Sequence, residues 1–193
     1  NKIKDIVAEA KRSTRGRFRL GILPTIAPYL LPRFFPRLLA EHPETDVRIS
    51  EMKTEAVKAA LARGELDAAI VADIDGLDHF DMTELYFEQF VAYVSANDVL
   101  ASTSPVRSSD LTDSFLWLLD EGHCFRDQIV RFCGIKDGQT SKNVYSLGSI
   151  ETFMRMVEGG RGITFIPELA LYQLSDSQRA LVHPFAIPIP TRR

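Results

Sequence analysis

The chain has 193 residues, enough for one large α/β domain or two small ones, each with its own core. Hydrophobic residues make up 45% and charged residues 25%, and no apolar run approaches the length of a membrane span. The balance of 23 Lys and Arg against 26 Asp and Glu, net −3, excludes the strongly basic footprint of a nucleic-acid-binding module. Two cysteines exclude a disulfide-stapled secreted framework and point to a reducing, cytoplasmic compartment.

In chain order, 1–16 reads as the end of a helix and a loose joint: Ile3, Ile6, Val7 and Ala10 recur at helical spacing until "KRSTRGR" breaks the pattern. The opening has neither an initiator Met nor the apolar centre of a secretory signal, so the chain is expected to start within a longer protein or after processing. "FRLGIL" (18–23) predicts a strand. "APYLLPRFFPRLLAEHP" predicts a helix opened by Thr25 or the prolines behind it, its first turns kinked by prolines. A strand follows at 45–53, then a helix at 54–65 stopped by Gly64, then a buried strand at 66–73. Strand, helix, strand, helix, strand is the order of a parallel α/β layer.

The stretch 82–95 reads as a long strand leading out of that unit, and the pattern restarts near residue 93. Strands are expected at 115–121, 143–148 and 161–167, and helices at 123–133 and 149–160, with a last helical turn or two in "PELALYQL". Ser149 is placed as the N-cap of the 149–160 helix, with Thr152 in its first turn. Two such units place a ligand cleft at strand C-termini and helix N-termini. Thr25 and Thr54 each follow a strand and open a helix. Their hydroxyls either face a small polar ligand or anion in that cleft or simply cap their helices.

The chemistry-bearing stretch is "DEGHCFRDQIVRFCG", which holds both thiols. Cys124 falls in or beside a first helical turn, where free N–H groups favour a thiolate; His123 and Arg126 add positive charge and Asp127 opposes it. Such a thiol has a lowered pKa and reacts with peroxide; the alternative is a buried structural cysteine with polar neighbours in solvent. Cys133 shares an apolar stripe with Phe125, Ile129, Val130 and Phe132, and Gly134 stops the helix. It reads either as core or as a resolving cysteine still packed. Nine helical residues set the thiols about 13 Å apart on nearly opposite faces, beyond the roughly 4.4–6.8 Å a disulfide needs. A metal site lacks paired ligand spacing and a fourth ligand. His42, His79 and His183 stand isolated, and nucleophile elbow, phosphate loop and zincin motifs are absent.

"GHCFRDQIVRFC" resembles the redox segment of the peroxide-sensing members of the LysR-type transcriptional regulators. "LGILPTIAPYLLPRFFPRL", "GELDAAIVA" and "LGSIETFMRMVEGGRGITFIPELA" are similar to LysR-type effector domains in general, and together these stretches cover most of 17–190. The resemblance implies an α/β fold, the two-lobed, periplasmic-binding-protein-like effector domain of that family. Residues 1–16 would end a linker helix, 17–92 form one lobe completed by 188–193 and a strand and long helix beyond, and 93–187 form the second lobe with the redox segment.

It further implies a reversible Cys124–Cys133 disulfide, with Cys124 reacting with peroxide and Cys133 resolving. His123, Arg126 and Asp127 would surround the reactive thiol, Thr25 and Thr54 would place peroxide near it, and Arg193 would lie close by. Implied partners are hydrogen peroxide, a homo-dimer or tetramer, DNA through an N-terminal winged helix-turn-helix absent from this chain, RNA polymerase, and glutaredoxin or thioredoxin as reductant. No cofactor, metal, membrane contact or enzymatic turnover is expected. Two competing readings are a LysR-type domain that binds a small metabolite, with incidental cysteines, and a thiol peroxidase.

Overall fold

The computed structural model describes residues 17–72, 76–111, 114–120, 123–134 and 148–193. The expected linker end at 1–16, and the 143–147 part of an expected strand, lie outside them. The chain divides into two compact units, Asn1–Leu85 and Tyr86–Arg193.

The first unit is the predicted parallel layer. Strand β1 (Arg17–Ile22) lies between β2 (Asp46–Glu51) and β3 (Ala68–Ile70), both parallel to it, with Leu20 opposite Ile49 and Ala68. Alternation decides its facing: Phe18, Leu20 and Ile22 are buried. Helices α1 (Ala27–Glu41) and α2 (Thr54–Ala62) supply the crossovers. Pro28 sits in the first turn of α1, where an N–H has no helical partner anyway, while Pro32 and Pro36 lie on its exposed side. The element runs from Ala27 to Glu41 despite them. The expected buried strand at 66–73 is shorter, only three residues paired to β1.

The second unit is built around β4 (Glu88–Val94). It pairs antiparallel with β5 (Ile163–Pro167), β6 (Val182–His183) and β7 (Thr191–Arg192). This moves the unit boundary from the expected 92/93 to 85/86. Every residue of β4 from Phe90 to Val94 faces a β5 residue, so a cut at 92 would split one ladder. The chain end is likewise tied to the second unit rather than to the first, because Glu88 and Gln89 pair with Arg192 and Thr191.

Helices α3 (Cys124–Cys133) and α4 (Ile150–Glu158) match their predicted spans to within two residues. Ser149 caps α4, accepting the Thr152 N–H. Short 3₁₀ turns occupy Ser108–Leu111 and Glu168–Gln173, and α5 (Asp176–Arg179) opens on a capping box from Ser175 and Gln178. Of the apolar run expected as a strand at 115–121, the described residues 115–120 form no strand. Its contact with β5 is a single parallel bridge, Leu116 to Ile163, reinforced by Thr164 Oγ1 donating to Trp117 O. Phe90, Tyr93, Phe153, Phe165 and Ile166 fill this unit's core.

Candidate functional site

The two thiols stand at the two ends of α3. Cys124 is its first residue and Cys133 its last, and neither is joined in a disulfide. His123 is the N-cap residue in extended conformation, and Gly134 closes the helix in the left-handed region at φ 59°. Nine residues at helical rise separate the two Cα atoms by about 13 Å and turn the side chains to opposite sides. No disulfide can form across that span while α3 persists.

The two sulfurs have unlike surroundings. Cys124 is buried, 8% exposed, in a first turn whose Phe125 is also buried. Cys133 continues the line of Phe125 and Ile129 but is half-buried rather than the fully packed core residue the stripe predicted, since the helix end is less covered. Loss of hydration still pushes its thiol up to about 12, so it is protonated at neutral pH. Beside it, Phe132 meets Phe185 edge-on at 5.2 Å.

The polar neighbours expected from sequence fall as follows. His123 is buried, its Nε2 3.2 Å from Asp120 Oδ1. Arg126 is mostly covered and approaches the exposed Asp127 only loosely, at 3.9 Å. Thr25 lies in the turn before α1 and Thr54 is the first residue of α2; both are buried. Neither stands at the N-cap position, which is Ile26 in α1 and Lys53 in α2, and neither of those cap residues makes a side-chain cap bond. Among the described residues the buried Thr54 hydroxyl has no hydrogen-bond partner, which leaves a donor and acceptor for a small polar molecule.

Arg193 is exposed, its guanidinium 5.9 Å from the Phe87 ring. The buried basic residue at this end of the chain is Arg192. Strand alternation explains the exchange: Thr191 and Arg193 face out, and Arg192 faces in. Its Nε and Nη2 both donate to Glu88 Oε2, at 2.7 and 2.6 Å, and its guanidinium lies over the rings of Phe90 and Phe125. This buried pair escaped the sequence reading. The signal was an isolated Glu at the head of an otherwise apolar strand, "EQFVAYV". Above it, the Tyr86 hydroxyl is buried, and burial with the Glu88 charge beside it pushes that phenol up to about 12.

Among the described residues no group of three or more His, Cys, Asp or Glu is placed to hold a metal ion. A pocket of about 510 Å³ in the second unit is lined by Ser95, Asn97, Arg155, Glu158, Ser175 and Gln178, and no α3 residue lines it.

Fold and site together define a two-unit α/β domain with a cysteine pair spanning one helix. The chain belongs to the LysR substrate binding domain family, whose model matches residues 11–193. It is 30% identical over 190 residues to the hydrogen peroxide-inducible genes activator of Haemophilus influenzae, covering 98% of this chain and 63% of that relative. The chain thus spans less than two thirds of that relative's length. Among solved structures it is similar to reduced OxyR from Porphyromonas gingivalis, with 47% identity and TM-score 0.81 over 92% of this chain and 81% of that one. It is also similar to an oxidised form of OxyR, with 32% identity and TM-score 0.76 over 93% and 84% of the two chains. No helix among the described residues is long and apolar enough to cross a membrane.

Proposed function

We propose that this chain is the redox-sensing regulatory part of a transcription regulator, in which hydrogen peroxide drives a reversible Cys124–Cys133 disulfide. The carrying observation is that both thiols end one helix that must come apart before they can bond. In the first step Cys124 attacks one peroxide oxygen, the O–O bond breaks, and Cys124 sulfenic acid and water result. In the second, the Cys133 sulfur displaces hydroxide from that sulfenic acid, giving the disulfide and a second water. The order follows from the surroundings. The thiolate is the nucleophile, burial disfavours it at Cys133 until α3 opens, and Cys124 stands in the first turn of α3 beside His123 and Arg126.

Opening is costly, since withdrawing a fully buried side chain such as Ile129 forfeits about 2–5 kcal/mol of packing. Redox chemistry supplies it, because about 30 mV of potential difference is worth about 1.4 kcal/mol for a two-electron couple. A structural disulfide or an incidental core cysteine has no need of such an arrangement. The similarity to hydrogen peroxide-inducible genes activators supports the same reading.

In this proposal His123, Arg126 and Asp127 surround the reactive sulfur, and Thr25 and Thr54 place peroxide, a role that suits the unpartnered Thr54 hydroxyl. The complete protein acts in the cytoplasm as a homo-dimer or tetramer. It reads DNA through an N-terminal winged helix-turn-helix, contacts RNA polymerase, and is reset by glutaredoxin or thioredoxin. It works as a switch, without enzymatic turnover.

Thiol counting tests this. One equivalent of peroxide removes two free thiols per chain from the wild type. Cys124→Ser abolishes the loss, and Cys133→Ser leaves a sulfenic acid trappable on Cys124. Retention of both thiols, or sulfenate trapped on Cys133 in Cys124→Ser, overturns the assignment.

A further inference from the structure

Phe125 follows Cys124 directly and is 3% exposed. Its ring meets Phe90 edge-on, centroids 4.7 Å apart, and the Arg192 guanidinium lies 5.9 Å from its centre and 5.5 Å from that of Phe90. That guanidinium is anchored by ion pairing. It is held by Glu88, whose other oxygen accepts the Leu169 N–H at 3.0 Å, and the side chains of the pair are 3% and 2% exposed. A buried pair of this kind resists displacement, because parting it strands a charge in a dry site. The first turn of α3 is therefore seated, through one ring, on a fixed cation in the strand pair β4–β7, and a cation over an aromatic face is strongest where water is excluded.

We propose that Phe125 is a positioning residue for Cys124: pinned against Phe90 and the Arg192–Glu88 pair, it holds the first turn of α3 in the dithiol arrangement, so that weakening this seat shifts the thiol–disulfide equilibrium toward the disulfide. The inference rests on the redox reading above. Contacts made in the dithiol form and given up when α3 opens favour the dithiol form by their own free energy, and their removal favours the disulfide by the same amount.

The equilibrium is an exchange with dithiothreitol. Protein dithiol and oxidised dithiothreitol give protein disulfide and reduced dithiothreitol, with two electrons and two protons transferred. In the complete protein, Phe125→Leu is expected to raise the constant for disulfide formation about tenfold, a fall of about 30 mV in reduction potential. Glu88→Gln shifts it the same way, and the double variant shifts it by less than the sum, because both act through one contact.

A role confined to core packing lowers the unfolding stability of both redox forms alike and leaves the equilibrium constant unchanged; that result overturns the proposal. Should a variant fail to fold, amide exchange at Leu169 in the wild type decides. Faster exchange in the disulfide form supports the seat, and equal protection in both forms refutes it. A wild type that forms no Cys124–Cys133 disulfide at any potential refutes the redox reading itself, a result distinct from a disulfide indifferent to Phe125.

Discussion

Glu158 shows how one side chain ties three elements of the second unit together. Its Oε1 accepts from Tyr93 on β4 at 2.8 Å and from Gln178 on α5 at 3.0 Å, and its Oε2 accepts from Arg155 on α4 at 2.6 Å. Burial works to raise this carboxyl, but the bonds from Gln178, Tyr93 and Arg155 outweigh it and hold the group below its ordinary value. A depressed carboxyl contributes stability that is present above its unfolded value and is lost as pH falls through the folded one. Tyr93→Phe is therefore expected to cost about 1–2 kcal/mol at pH 7. The difference from the wild type should shrink as the pH falls below the ordinary carboxylate range and Glu158 takes up its proton. Urea unfolding at pH 7 and at pH 3 reads both quantities. Equal losses at the two pH values would show that the hydroxyl acts independently of the ionised carboxylate and remove the latter from the account.

At the scale of elements, the join between 115–117 and β5 turns on one residue. Gly162 has φ +87°, and a Cβ there would stand 2.6 Å from the Phe115 carbonyl oxygen and 2.8 Å from its ring. Gly162→Ala combines left-handed strain with a backbone clash and is expected to lower stability by about 1–3 kcal/mol. Chemical denaturation should show a reduced midpoint with an unchanged slope; an unchanged midpoint would mean that the join yields freely. The same region marks where the sequence was hard to read. Helical periodicity located α1, α2, α3 and α4, because one buried face per helix leaves a direct trace. "FLWLLDE" looked like a strand for the same reason that it is partly buried, yet apolarity reports burial and not pairing. Its neighbour β5 has all five residues buried and leaves no alternation to identify a partner. The order of β4 among its antiparallel neighbours, and hence the boundary at 85/86, depends on contacts across about a hundred residues that no local pattern encodes.

For the molecule as a whole, the part of the site carried by one helix was legible and the part assembled from distant strands was not. Cys124 and Cys133, their separation and the glycine stop all follow from one stretch of sequence. Arg192, Glu88 and Phe90 meet only once β7 returns to β4, so this buried pair left no trace in the local sequence. The same pairing habit bears on what the chain as a whole can bind. Its 23 Lys and Arg are outnumbered by 26 Asp and Glu. Arginine after arginine is matched locally: Arg17 and Arg48 with Asp46, Arg19 with Asp67, Arg63 with Glu65, and Arg155 with Glu158. Binding to the phosphate backbone requires cations that release condensed counterions, and a guanidinium already facing a carboxylate contributes little to that release. This chain by itself is thus expected to show no specific, salt-dependent affinity for duplex DNA. Fluorescence anisotropy with labelled duplexes bearing the parent protein's target site, at low and at physiological salt, measures it. Nanomolar binding by this chain that weakens steeply with added salt would place a DNA-reading surface here and overturn the expectation.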